Sequence, residues 1–126
     1  MVSLAASWQE DGNTAAERAR RLTQERPADP WSWFALAGTQ EWHRRSDQDD
    51  EKMVATSTKA LAMMPHHPDF IWLRAQSLFL SVKHAGEVPA FVDAHLQEVG
   101  TVYVQRGGDE NLVEEFSWRV EELKRR

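Results

Sequence analysis

A chain of 126 residues suits one domain and can bury roughly two thirds of the surface its unfolded form exposes, so its size calls for no disulfide or metal staple. Its net charge of −5 and pI near 5.5 argue against a nucleic-acid partner, because the phosphate backbone demands a basic surface. The absence of cysteine excludes a disulfide framework, a thiolate metal site and a cysteine nucleophile. A reducing cytoplasm is compatible with this and is the expected compartment.

Residues Met1 to Asp11 carry no basic n-region and reach acidic residues after a short apolar run, so no signal peptide is expected. No stretch of about 18 apolar residues occurs, so no membrane span is expected. The 6 tryptophans are the compositional oddity, and helical packing, an exposed groove or a subunit interface must absorb them.

A short helix over Leu4 to Gln9 is expected to break near Gly12, since Asp11-Gly12-Asn13 supplies turn chemistry. Thr14-Ala15-Ala16-Glu17 then fits a capping box, which predicts a helix running to about Glu25 and stopped by Pro27. Ala15, Ala16, Ala19 and Leu22 form its packing stripe, while Arg18, Arg20, Arg21 and Arg26 face water. Asp29-Pro30 is a strong helix start, with Asp as N-cap and Pro in the first turn.

That helix is expected to reach about Arg45, with Trp33, Leu36, Ala37 and Gln40 on one face and Trp31, Phe34, Gly38 and Trp42 on another. A helix apolar on two sides is packed on both, or packed on one and used on the other. The polar run Ser46–Asp50 breaks it, and a further helix follows to Met64 on Met53, Ser57, Ala60, Leu61 and Met64, stopped by Pro65. Trp33, Leu36 and Leu61 should lie between these two helices.

Pro68 opens another helix with a core stripe of Ile71, Ala75, Leu78 and Val82, ended by Ala85-Gly86 as a glycine C-cap. Pro89 to Val99 is its partner, with Val92, His95, Leu96 and Val99 inward and Gly100 closing it. Thr101-Val102-Tyr103-Val104 has strand-like composition without a second strand to pair with, and predicts an extended or irregular connector over residues 101–108. Asp109 caps a last helix to about Lys124 on Leu112, Phe116, Val120 and Leu123, which seals an end of the stack or pairs with another chain.

The fold class is therefore all-α. Trp33-x-x-Leu36-Ala37, followed by a second helix with Ala60-Leu61 and Pro65, resembles a tetratricopeptide repeat. The unit departs at Gln40, Met53 and Ser57, and its period of about 38 residues exceeds the family's roughly 34, a surplus assigned to the acidic turn. The resemblance implies antiparallel helical hairpins stacked as a short right-handed superhelix. Its parts are a partial repeat at 1–27, a central repeat at 28–65, a degenerate repeat at 66–100, the connector at 101–108 and a capping helix at 109–126.

Candidate chemistry is sparse. His66 and His67 lack a third ligand at short spacing, and His67 more plausibly acts at a helix entrance. His43 and His84 sit near expected helix C-termini, and His95 lies on an apolar face. Asp47-Gln48-Asp49-Asp50-Glu51 lacks the central glycine and terminal glutamate of a calcium loop and reads as a solvated helix start. No nucleophile elbow, phosphate loop or HExxH motif occurs, so no catalytic residue, metal or cofactor is expected.

In tetratricopeptide-like stacks the first helices line a concave groove for partner segments. Carried onto this chain, the resemblance implies a partner site at Trp31, Phe34, Glu41, Trp42, Trp72, Gln76 and Phe79, with Gly38, Asp69 and Leu80 beside them. The basic residues of carboxylate-clamping relatives are missing, so an apolar protein or peptide ligand is expected. Beside this adaptor reading stand the alternatives that the last helix or a second subunit covers these aromatics, that the same surface is a homo-oligomer interface, and that the chain is a helical enzyme or regulatory subunit with a buried pocket.

Overall fold

All five prolines stand at helix boundaries in the computed structural model of the chain, which describes residues 4–125 and the side chains of 14–123 and of Arg125. Met1–Ser3, the start of the segment expected not to be a leader, and the side chain of Lys124 lie outside the described residues. The helices are α1 (Leu4–Glu25), α2 (Pro30–His43), α3 (Asp47–Met63), α4 (Pro68–Leu80), α5 (Val88–Glu98) and α6 (Glu110–Arg125). Among the described residues there is no strand, so the protein is all-α. No helix among them is long and apolar enough to cross a membrane.

The helix starts follow from side-chain caps. Asp29 Oδ1 accepts from Trp31 N at 3.0 Å, Ser46 Oγ from Asp49 N at 3.2 Å, and Asp109 Oδ1 from Asn111 N at 2.9 Å. His67 does the same for α4, its Nδ1 accepting from Asp69 N at 3.1 Å. Each cap satisfies a backbone donor that the first turn otherwise leaves without a partner.

The helix ends depart from expectation in several places. α1 runs unbroken through Gly12, because an interior glycine costs only about 1 kcal/mol and does not stop a helix as proline does. Thr14 is consequently an interior helical residue and not a cap, Ala15 is exposed and Leu22 is 38% exposed, which leaves Ala19 as the buried member of that stripe. The link between α2 and α3 is short, since Asp47 to Asp50 form the first turn of α3; the extra length of the central unit lies in the 17 residues of that helix.

α4 ends at Leu80, well before Ala85-Gly86. Arg44, in the α2–α3 link, donates from Nη1 to the Leu80 carbonyl at 3.2 Å and so satisfies a terminal acceptor from a distant part of the chain. Val82 consequently lies outside the helix and is 88% exposed, not in the core. Ala85–Glu87 is a 3₁₀ turn.

Residues 101–108 are not an extended connector. Val99–Tyr103 forms a π-helical turn continuous with α5, so Gly100 does not close that helix, and Val104 and Gln105 stay helical. Without a partner strand, the β-branched residues take the one structure whose backbone bonds are local. The chain reverses only at Gly107, whose φ of +87 favours glycine, and Gly108 N then donates to the Tyr103 carbonyl at 2.9 Å.

Consecutive helices touch, and α4 also contacts α2 and α6, which makes it the central helix. It is buried on two faces. Phe70 and Leu73 pack with Ala37 and Ala60, flanked by Trp33, Phe34, Leu61 and Met64. Ile71, Ala75 and Leu78 pack with Val88, Val92 and Val99 and with Phe116, Val120 and Leu123 of α6. Leu36 is buried, with Trp33 and Leu61 half-buried beside the first cluster, so the register expected for the α2–α3 pair holds. Trp33 Nε1 donates to the Pro27 carbonyl at 2.9 Å, and Lys59 Nζ lies 4.0 Å from the indole centroid.

Candidate functional site

Six of the seven residues singled out from the sequence fall into two neighbourhoods joined by a polar pair, and Trp42 stands apart. At the start of α2, Trp31 packs on Phe34 (5.3 Å between centroids), Phe70 (4.9 Å) and His67 (5.4 Å), and Phe34 lies 5.1 Å from Phe70. Phe34 is half-buried, and Trp31 keeps 46% of its surface in solvent. These rings cover Phe70, which is fully buried and lies outside the stripe expected for α4.

Further along α4, Trp72, Gln76 and Phe79 are each half-buried and line a cleft of about 280 Å³ shared with Trp118, Arg119 and Glu122 of α6. The Arg119 guanidinium lies 5.6 Å from the Trp72 ring centroid and is itself paired with Glu115. The last helix thus covers part of the surface that the groove expectation left open. It also brings in Trp118, 67% exposed, which the sequence reading did not select. Its signal was present, because Trp118 falls off the apolar stripe of Phe116, Val120 and Leu123 on an otherwise charged helix.

Glu41 and Gln76 tie α2 to α4 between the two neighbourhoods, with Gln76 Nε2 donating to Glu41 Oε1 at 2.5 Å. Burial raises the Glu41 pKa above its ordinary value, opposed by that hydrogen bond and by Arg44. Trp42 is 78% exposed and stacks on no ring among the described residues.

The histidines divide by role. Burial lowers the His67 pKa, opposed by Asp69. His84 is raised by hydrogen bonds first to Glu51, from Nε2 at 2.8 Å, and then to Glu87. His95 donates from Nδ1 to the Phe91 carbonyl at 2.8 Å. Among the described residues, no three His, Asp or Glu side chains converge where they could hold a metal ion. The acidic start of α3 is engaged by its own chain: Asp49 Oδ2 accepts from Arg45 N at 3.0 Å, and Asp50 lies 3.6 Å from Arg44 Nη1.

No protein-family model, curated protein or solved structure matches the chain.

Proposed function

We propose that the chain is a non-enzymatic protein–protein interaction module of tetratricopeptide-like build, which holds an apolar partner segment against the face formed by α2, α4 and α6. The observation that carries this reading is the exposure of three indoles on the two helices flanking α4: Trp31 at 46%, Trp42 at 78% and Trp118 at 67%. Exposed tryptophan beside a cleft lined by Trp72 and Phe79 is the composition of an interaction surface, where aromatic anchors carry most of the binding energy. The repeat-like build is supported by the matching starts at Pro30 and Pro68 and by the contact between the helices they open.

The anchors to test are Trp42 and Trp118, because Trp31 and Trp72 also pack against the core clusters. Trp42→Ala and Trp118→Ala should each weaken a partner segment identified by pull-down by about 2 kcal/mol. Each should change stability by no more than about 0.5 kcal/mol, as surface substitutions do. Unfolding of these variants would make the indoles structural and remove the support for a binding face. A dimer by light scattering, with its tryptophans shielded from acrylamide, would assign the same surface to self-association.

A further inference from the structure

We propose that a second cleft, between the end of α3 and the link from α5 to α6, binds a planar aromatic carboxylate. It has a volume of about 430 Å³, within the range of roughly 300–1,000 Å³ typical of small-ligand sites. It adjoins the α2–α4–α6 face at His67, whose ring also packs on Trp31, but its ligand does not depend on the adaptor reading.

The π-helical turn and chain reversal between α5 and α6 hold its walls. The π-helical turn at Val99–Tyr103 presents the Tyr103 ring, and the left-handed Gly107 turns the chain back beneath it. A Cβ on Gly108 would lie 2.3 Å from Tyr103 Cε1, so only glycine leaves the ring where it is. His67 packs edge-on against the Tyr103 ring, 5.3 Å between centroids at 65°, so the two rings form one continuous aromatic wall. Because His67 Nδ1 accepts the backbone bond from Asp69, the neutral ring carries its proton on Nε2.

Two chemical properties select the ligand. Tyr103 and His67, with the thioethers of Met63 and Met64, give polarizable surfaces that favour a flat ring. Arg106 lines the same cleft, and among the described residues its guanidinium has no ion-pair partner. His66 Nδ1 is buried without a hydrogen-bond partner, the Glu98 carboxylate standing off at 3.7 Å. The Arg106 guanidinium fork beside the Tyr103 ring matches a carboxylate on a ring, which Arg binds through two parallel bonds, whereas the buried His66 nitrogen faces Glu98 and does not reach the ligand. Glu98, half exposed, is the charge that opposes this.

The test is an amide-resolved NMR titration of the whole chain with 2-naphthoate, its uncharged analogue 2-naphthamide, and inorganic phosphate. Saturable shifts centred on Tyr103, Gly107 and Gly108 are expected for naphthoate, with naphthamide weaker by about tenfold or more, the value of a charge-assisted bond. Arg106→Gln, at an exposed position, should keep the melting temperature and abolish the preference for the carboxylate over the amide. Equal affinity for acid and amide, shifts centred on Trp72 and Trp118, or no saturable shift at all would overturn the proposal. So would phosphate binding as tightly as naphthoate, which would show a site for a bare anion that reads no ring.

Discussion

Phe70→Ala probes whether α4 is the central helix through its aromatic face as well as its aliphatic one. The ring is fully buried and meets Trp31, Phe34 and His67 at 4.9, 5.1 and 5.3 Å, with Ala37, Ala60 and Leu73 in the same cluster. Truncating a buried Phe costs about 3–5 kcal/mol, and each lost aromatic pair can add about 0.5–1.5 kcal/mol. Trp31 is half exposed and free to settle into part of the space, which offsets some of that loss. We therefore expect a loss of about 4 kcal/mol and a fall in melting temperature of roughly 15 °C, large against a total stability of about 5–15 kcal/mol. Urea unfolding followed by far-ultraviolet circular dichroism measures it, with Phe70→Leu as a milder control that keeps most of the volume. A loss below about 1 kcal/mol at unchanged m-value would mean that the cluster collapses without this ring, and the packing argument for the α2–α4 contact would fail.

Two further outcomes concern titration and backbone geometry. Because burial lowers the His67 pKa below its ordinary 6.5, the neutral ring that caps α4 is the stable form. Its contribution is complete above pH 6.5 and is lost as pH falls from there toward the folded value, so stability should decline on that side. His67→Asn, which caps without titrating, should flatten the decline. His84 has the opposite sign: its raised pKa makes its pairing with Glu51 and Glu87 complete below pH 6.5 and lost as pH rises through the folded value. As these partners are well exposed, added salt should weaken that dependence and spare the one from His67. Gly107→Ala should cost about 1–2 kcal/mol for a left-handed residue that gains a Cβ. Gly108→Ala should cost more, because the Tyr103 ring must move; equal losses in the two variants would show that this close contact is not maintained.

The candidate site was legible in part. Trp31, Phe34, Trp72, Gln76 and Phe79 are all at or near the surface of α2 and α4, because period and capping set the angular position of a side chain on its own helix. What they touch was not legible. That Phe70 lies beneath Trp31 and Phe34, that α6 brings Trp118 and Arg119 over Trp72, and that Glu41 meets Gln76 are all contacts between separate helices. Nothing in the spacing along one helix encodes its partner's rotation.

The same division runs through the fold. The sequence alone determined four of the helix starts, since Asp29-Pro30, Ser46, His67-Pro68 and Asp109 each act on donors within three residues, while the start expected at Thr14 lies inside α1. It also determined that the chain is all-α, through the apolar periods between those starts, but not that residues 99–105 are helical. Where helices end was settled elsewhere. Gly12 and Gly100 looked like terminators, yet a helical glycine costs only about 1 kcal/mol, less than neighbouring packing supplies, and Gly86 lies beyond an end that α4 had already reached. α4 stops where Arg44 from the α2–α3 link takes its last carbonyl, and Val82, beyond that end, is exposed. A helix start is a local hydrogen-bonding problem that a few side chains solve. Its end, and the face it buries, depend on bonds and contacts from residues far away in the chain, and only the tertiary structure brings those within reach.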